Sequence, residues 1–313
     1  MSARLRGERA EGARRCGEAE RAEARRAEHG RALHTGCSAP EASRALRRSL
    51  ARDTEEIVAR GVYRTAGGRE VSIAGAVAAA RAGTRLFGPD PVETPRVAPA
   101  PTRIEVTGES SLEAARRLVR DGTPPVAVLN FASARNPGGG FLNGAQAQEE
   151  ALCRASALYT CVREVRAFYD HHRAHRDPFS TDRVIHSPAV PVFRDDRGRL
   201  LDEPYTAGFL TAAAPNASVV RRTAPERAPE LPRALAVRAA RVLETAAACG
   251  HRRLVLGAWG CGVFGNDPGA VAGAFRELLV GGPFEGGFEH VVFGVLDRTR
   301  GAVVRAAFER AFV

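Results

Sequence analysis

The residues able to do chemistry in this 313-residue chain gather in two glycine-rich segments and one pair of acids. The first segment is VLNFASARNPGGGFLNGAQAQEEALCRASALY, with Gly138, Gly139 and Gly140 in succession and Glu149 and Glu150 following. Three successive glycines leave backbone N–H groups bare and allow positive φ, so such a loop approaches a sugar or phosphate more closely than side chains permit. The second segment, LVLGAWGCGVFGNDPGAVAGAF, carries Gly257, Gly260, Gly262 and Gly265 just before a helix whose N-terminus bears partial positive charge. Two anion-friendly loops on one sheet edge point to a diphosphate or nucleotide. Neither loop is GxxxxGK[ST], and neither is GxGxxG followed by an acid about 20 residues later. Glu149 and Glu150 open a helix, where acids are ordinary first-turn residues worth roughly 0.3–1 kcal/mol. Beside the glycine triplet and Gln148 they read instead as carboxyls belonging to the ligand site.

Other reactive residue types carry less. The six cysteines, at 16, 37, 153, 161, 249 and 261, form no CxxC, and reduced thiols are expected. Cys153 and Cys161 fall near one face of a predicted helix, as core residues do. His171, His172 and His175 lie in HHRAH without HExxH or an acidic partner, so a solvated connection is expected there and no metal site.

Elements that position the two segments follow from periodicity. Residues 1–40 are an Arg, Ala, Glu and Gly run with almost no apolar stripe, expected to remain a mobile tail. A helix is predicted from Ala42 to Gly61, then a hairpin around Ala66-Gly67-Gly68, then a short helix over AGAVAAARAG. Residues 88–101 hold five prolines and read as a connector. This makes 41–101 an N-terminal accessory region and 102–313 the main domain. There strands (TRIEVT, VAVLNFAS, RVIHSPAVPVF, LVLGAW, HVVFGVL) alternate with helices. Those helices are SLEAARRLVRDG, residues 146 to about 168, RALAVRAARVLETAAACG, PGAVAGAFRELLVGG and GAVVRAAFERAF. That alternation predicts an α/β sandwich with helices on both faces of a mostly parallel sheet, whose ligands sit beyond the carboxyl ends of the strands.

Composition bounds the function. The chain is 44% hydrophobic and 26% charged, an ordinary globular balance. It has neither a long apolar run nor a signal-peptide h-region, so a cytoplasmic protein with no membrane partner is expected. The net charge is +10 and every basic residue is Arg, the drift of a GC-rich genome. Residues 1–50 hold 12 Arg against 7 acids, half the excess. Nucleic acid is expected only as a weak, charge-driven contact through that tail.

PGGGFLNGAQAQEE, with its triplet, its seven-residue spacer (Phe141 to Ala147) and Gln-Glu-Glu, resembles the signature of poly(ADP-ribose) glycohydrolases. VLNFASARNPGGG, SPAVPVFRDDRGRLLDEPY and LGAWGCGVFGNDP extend the resemblance to the bacterial-type branch, over roughly residues 42–296. It implies a macrodomain-like three-layer α/β/α sandwich with a mixed sheet and N-terminal accessory helices. It implies hydrolysis of ribose–ribose O-glycosidic bonds, from the chain end, releasing ADP-ribose. The partners would be poly(ADP-ribose), ADP-ribose and poly-ADP-ribosylated proteins, with no metal or cofactor. By this resemblance Glu150 is catalytic and Glu149 holds the terminal sugar's hydroxyls. Gln148, Gly138, Gly139 and Gly140 line the same pocket. Gly260, Cys261, Gly262, Val263 and Gly265 wrap the diphosphate, and Phe264 packs on the terminal ribose. Asn130 and Ser133 contact that ribose, and Glu113 falls in the adenine-contacting segment.

Glycosidic cleavage needs an acid for the leaving oxygen, and most glycosidases set two carboxyls at least ~5 Å apart across the bond. Adjacent helical residues do not straddle a bond, so Glu150 is expected to act first as acid and then as base, with Glu149 anchoring the sugar. A helix N-terminus lowers a carboxyl's proton affinity, whereas a like-charged neighbour and exclusion of water raise it. Two other readings stand beside this one on the same fold, a non-catalytic ADP-ribose reader and a hydrolase of another ADP-ribosyl linkage. A third is a nucleic-acid-binding structural protein, resting only on the Arg excess.

Overall fold

A computed structural model of the chain describes residues 39–95, 100–122 and 125–312. The Arg-rich tail lies outside the described residues except for its last two, which begin helix α1 (Ala39–Arg60). Residues 44–313 form one compact unit. After α1 come the hairpin β1 (Val62–Arg64) and β2 (Glu70–Ser72), helix α2 (Ala74–Gly83) and strand β3 (Arg85–Phe87). The alternating part runs β4 (Arg103–Thr107), α3 (Ser111–Arg120), β5 (Val126–Phe131), α4 (Gln148–Ala155), α5 (Leu158–Val162) and α6 (Arg166–Ala174). It continues β6 (Val184–Arg194), β7 (Leu200–Ala212), α7 (Ala217–Thr223), α8 (Leu231–Ala248) and β8 (Arg253–Leu256). It ends with α9 (Pro268–Leu279), β9 (His290–Gly294) and α10 (Val303–Phe312).

Seven strands form one mixed sheet in the order β3-β6-β7-β5-β8-β9-β4. The five strands from β7 to β4 are mutually parallel, while β6 is antiparallel to both β7 and β3. Side-chain alternation splits the core in two. Val128, Val255 and Val292 join one buried cluster with α1, α3, α4 and α5. Ala127, Leu129, Leu254, Leu256, Val291 and Phe293 face the other, under α8, α9 and α10. A period of two along strands that are covered on both faces gives the three-layer α/β/α arrangement. Strand β3, from the accessory region, pairs with β6 and so completes this sheet.

The structure corrects the sequence reading in three places. The helix expected over 146–168 is three helices. Ser156 ends the first, its hydroxyl donating to the Leu152 carbonyl at 2.7 Å and accepting from Leu158 N–H at 3.2 Å, while its backbone bridges to Val192. The long strand β7 went unread because its first half alternates poorly and contains Pro204. Its second half, against β5, is wholly buried. HHRAH is no connection: His171 and His172 end α6, and His172 is buried, bonded to the Phe168 carbonyl and the Thr181 hydroxyl, both at 2.8 Å. Burial pushes its imidazole down to about 4, so it stays neutral. Among the described residues no three His, Cys, Asp or Glu side chains gather as a metal site, and no helix is long and apolar enough to cross a membrane.

Candidate active site

Because β7, β5 and β8 are parallel neighbours, the chain leaves all three at the same sheet edge. The two glycine segments are the exits of β5 and β8, so the topology brings them together as expected. A Cβ built on Gly257 would lie 3.2 Å from the Phe131 ring, at the end of β5, and one on Gly260 would lie 2.7 Å from Ala214, just past β7.

At the first exit the site is built around the two acids. Gln148, the first residue of α4, caps strand β5: its carbonyl accepts Phe131 N–H at 2.9 Å, and its amide donates to the Leu129 carbonyl at 2.8 Å and the Ser111 hydroxyl at 3.0 Å. Those bonds engage its polar atoms with the protein and fix the start of α4 against the sheet. Glu149, 3% exposed, then meets Ser133 N–H at 2.7 Å and the Asn130 amide at 3.4 Å. Burial, with the charge of Glu150 adding, pushes the Glu149 carboxyl up to about 8 against those donors. It therefore keeps its proton at neutral pH. Glu150, 7% exposed, accepts Gly140 N–H on Oε1 at 2.8 Å and Ala147 N–H on Oε2 at 2.9 Å.

The glycine triplet has a different task from the one its composition suggests. The N–H groups of Gly139 and Gly140 go to the Asn136 carbonyl at 2.9 Å and to Glu150 at 2.8 Å, so two of its three amides serve the protein's own loop. Gly138 and Gly139 have φ of +65° and +59°. A Cβ on Gly139 would collide with Glu150 Oε1 and lie 3.0 Å from Glu149 Oε2, so both carboxyls crowd one side of that residue. A Cβ on Gly138 would meet the Tyr159 ring at 2.8 Å.

The second exit is arranged the opposite way. Its fold is held by Asn266, buried at the start of α9, whose amide donates to the Pro215 carbonyl at 2.8 Å and the Gly260 carbonyl at 3.2 Å. Trp259 anchors the loop beneath, its indole N–H donating to Ala212 at 3.1 Å. The N–H groups of Gly260, Gly262, Val263 and Phe264 have no hydrogen-bond partner among the described residues. Val263 is 84% exposed, and Phe264 packs partly buried against the core, its carbonyl accepting Ser218 N–H. Burial pushes the Cys261 thiol up to about 12, so it is no nucleophile. Four unclaimed amides beside a helix N-terminus form a concavity suited to an anion.

Asn130 and Ser133 thus stand beside Glu149. Glu113 is exposed at the start of α3, where its carboxylate accepts Ser110 N–H at 2.9 Å in a capping box. Asn266, Thr211 and Tyr159 complete the site's support and went unread in the sequence. Asn266 had a local signal, since it directly precedes the Asp267 N-cap and Pro268. Thr211, which meets the Asn130 amide at 3.1 Å, had none, being on the unread strand.

Residues 51–195 match the family described as microbial-type PARG, catalytic domain. Poly(ADP-ribose) glycohydrolase from Thermomonospora curvata is 53% identical, the match covering 86% of this chain and 100% of that one, with a TM-score of 0.82. The same enzyme bound to the inhibitor ADP-HPD matches at 52% identity over the same shares, with a TM-score of 0.78. The Deinococcus radiodurans enzyme in complex with ADP-ribose is 47% identical over 77% of this chain and 98% of its own, with a TM-score of 0.70. None of the curated proteins matches. The fold these structures share with the chain is macrodomain-like.

Proposed function

This chain belongs to the microbial-type poly(ADP-ribose) glycohydrolase family, an enzyme hydrolysing the ribose–ribose O-glycosidic bond, and we propose that Glu150 carries the reaction. The observation behind this reading is the grip on its carboxylate. Two backbone N–H groups from opposite ends of one loop fix both its oxygens, at a sheet edge where four unclaimed amides await an anion. Preorganised donors of this kind hold a catalytic group in place without reorganisation during the reaction.

In the proposed sequence the diphosphate of the terminal ADP-ribose sits on residues 260–265, and Phe264 packs on its ribose. Glu149 binds the ribose hydroxyls, with Asn130 and Ser133 fixing its carboxyl. A protonated Glu149 leaves one negative charge fewer beside the polyanion, which favours bringing it there. The adjacent diphosphate stabilises the positive charge that develops at the anomeric carbon. Glu150 then gives its proton to the leaving ribose oxygen as the anomeric C–O bond breaks, leaving an oxocarbenium-like centre. As carboxylate it takes a proton from the water that adds to that carbon, which restores the acid. Crowding of both carboxyls on one side of Gly139 supports one group doing both steps. Gln148 acts through its neighbours as a positioning residue, and Glu113 lies toward the adenine. The enzyme works from the chain end on polymer carried by modified proteins, in the cytoplasm.

The test is Glu150→Gln. Turnover of defined-length poly(ADP-ribose) is expected to fall about 10²–10⁴-fold with ADP-ribose affinity retained. Near-normal turnover would overturn the assignment.

A further inference from the structure

The seven-residue spacer between the glycine triplet and the acids joins the two N–H groups that hold Glu150, Gly140 at its start and Ala147 at its end. Its backbone bonds account for only part of its rigidity. Phe141 N–H reaches the Gly138 carbonyl, Asn143 and Ala145 N–H both reach the Gly140 carbonyl, and Gly144 N–H reaches the Phe141 carbonyl. The three carbonyls that follow are taken by three arginines. Arg44 Nε donates to Asn143 at 3.0 Å, Arg47 Nε to Gly144 at 2.7 Å and Arg154 Nη1 to Ala145 at 2.8 Å. Three successive carbonyls of one loop are thus each held by a guanidinium, two of them from helix α1.

We propose that Arg47, with Arg44 and Arg154, is a positioning residue for catalysis, so that accessory helix α1 is part of the machinery that aims Glu150. The inference rests on the assignment of Glu150 above. A peptide unit is planar, so holding the Gly144 carbonyl also fixes Ala145 N–H, which bonds the Gly140 carbonyl. That fixes Gly140, whose own N–H holds Glu150 Oε1. Guanidinium–carbonyl bonds are charge-assisted and polarise the peptides they hold, which strengthens the opposite N–H as a donor. Gly144 must be glycine for the approach: its φ is +71°, and a Cβ there would lie 2.5 Å from the Arg44 carbonyl and 2.9 Å from Arg48 Cγ. A second tie runs from the same helix. The buried Thr54 hydroxyl donates to the Arg154 carbonyl at 2.8 Å, one turn beyond Glu150. Arg154 is itself buried and feels the charge of Glu150.

Arg47→Ala, Arg47→Lys and Arg44→Ala are to be compared on defined-length poly(ADP-ribose), with ADP-ribose affinity and binding stoichiometry measured on the same samples. Arg47→Ala is expected to lower kcat per binding site about tenfold, with KM and ADP-ribose affinity within about twofold. Arg47→Lys, which still offers a cationic donor, restores most of the loss. The exposed Arg44→Ala loses about two- to threefold in kcat only, and decides the matter should Arg47→Ala not fold. A kcat per site unchanged by both alanine variants, a loss confined to KM, or a lysine variant no better than alanine overturns the inference. Full turnover by Glu150→Gln would instead overturn the catalytic assignment, so the two failures are told apart.

Discussion

The two glycine-rich exits look alike in sequence and do opposite things with their amides. At 138–140 the N–H groups of Gly139 and Gly140 turn inward, onto Asn136 and Glu150. At 260–264 four N–H groups remain without a protein partner among the described residues. Positive φ serves the first loop by admitting carboxylates where a Cβ would stand; in the second it shapes a concavity. Glycine content alone therefore does not say whether a loop holds the protein's own acid or the ligand's. What decides is the presence of a buried carboxyl within reach.

Substitutions separate the two tasks. The largest effect is expected at Gly139, where a Cβ collides with Glu150 Oε1 and the left-handed backbone adds about 1–2 kcal/mol. Gly139→Ala should lower kcat about 100-fold or more, read from steady-state rates. Retention of activity within a few-fold would show that this loop does not hold the acid. Next in size is a pH effect on stability. The Glu149 carboxyl is raised in the folded state, so the native protein binds the proton more tightly than the unfolded chain. Stability contributed by that protonated carboxyl is complete below the ordinary carboxyl range and is lost as pH rises to about 8. Denaturant midpoints from pH 5 to 9 should fall more for the wild type than for Glu149→Gln, by the order of a few kcal/mol; parallel curves would refute the raised carboxyl. The smallest effect is at Gly262, where a Cβ meets nothing within 4 Å. Gly262→Ala should leave Tm and kcat alone and weaken ADP-ribose binding by roughly threefold to tenfold, read by calorimetry. Unchanged affinity would take the diphosphate off this loop.

Much of this was legible in residue order. Strand–helix alternation placed both loops at strand exits, and the family signature singled out Glu149 and Glu150. What stayed hidden depends on long-range contact. Strand β7 is recognisable only against its neighbours, since half of it is an exposed hairpin arm and Gly208 is needed there because a Cβ would meet His251 at 2.5 Å. The break between α4 and α5 follows from Ser156 docking on β6, which no local propensity contains. Gln148 was read as a pocket residue from its place in the motif, and its bonds to β5 depend on a strand nearly twenty positions earlier. Burial of Glu149, which outweighs the donors Asn130 and Ser133, is a property of the packed sheet and not of a dipeptide.

The central strand carries a consequence for how the enzyme comes into being. Residue Val126 of β5 lies beside Arg253, a partner made only after most of the chain has been synthesised. Pairings between segments so distant in order form slowly and late. Until β8 docks, the emerging polypeptide has the carboxyl pair without the free amides of residues 260–264 beside it. The two loops therefore come together only with closure of the sheet, late in synthesis.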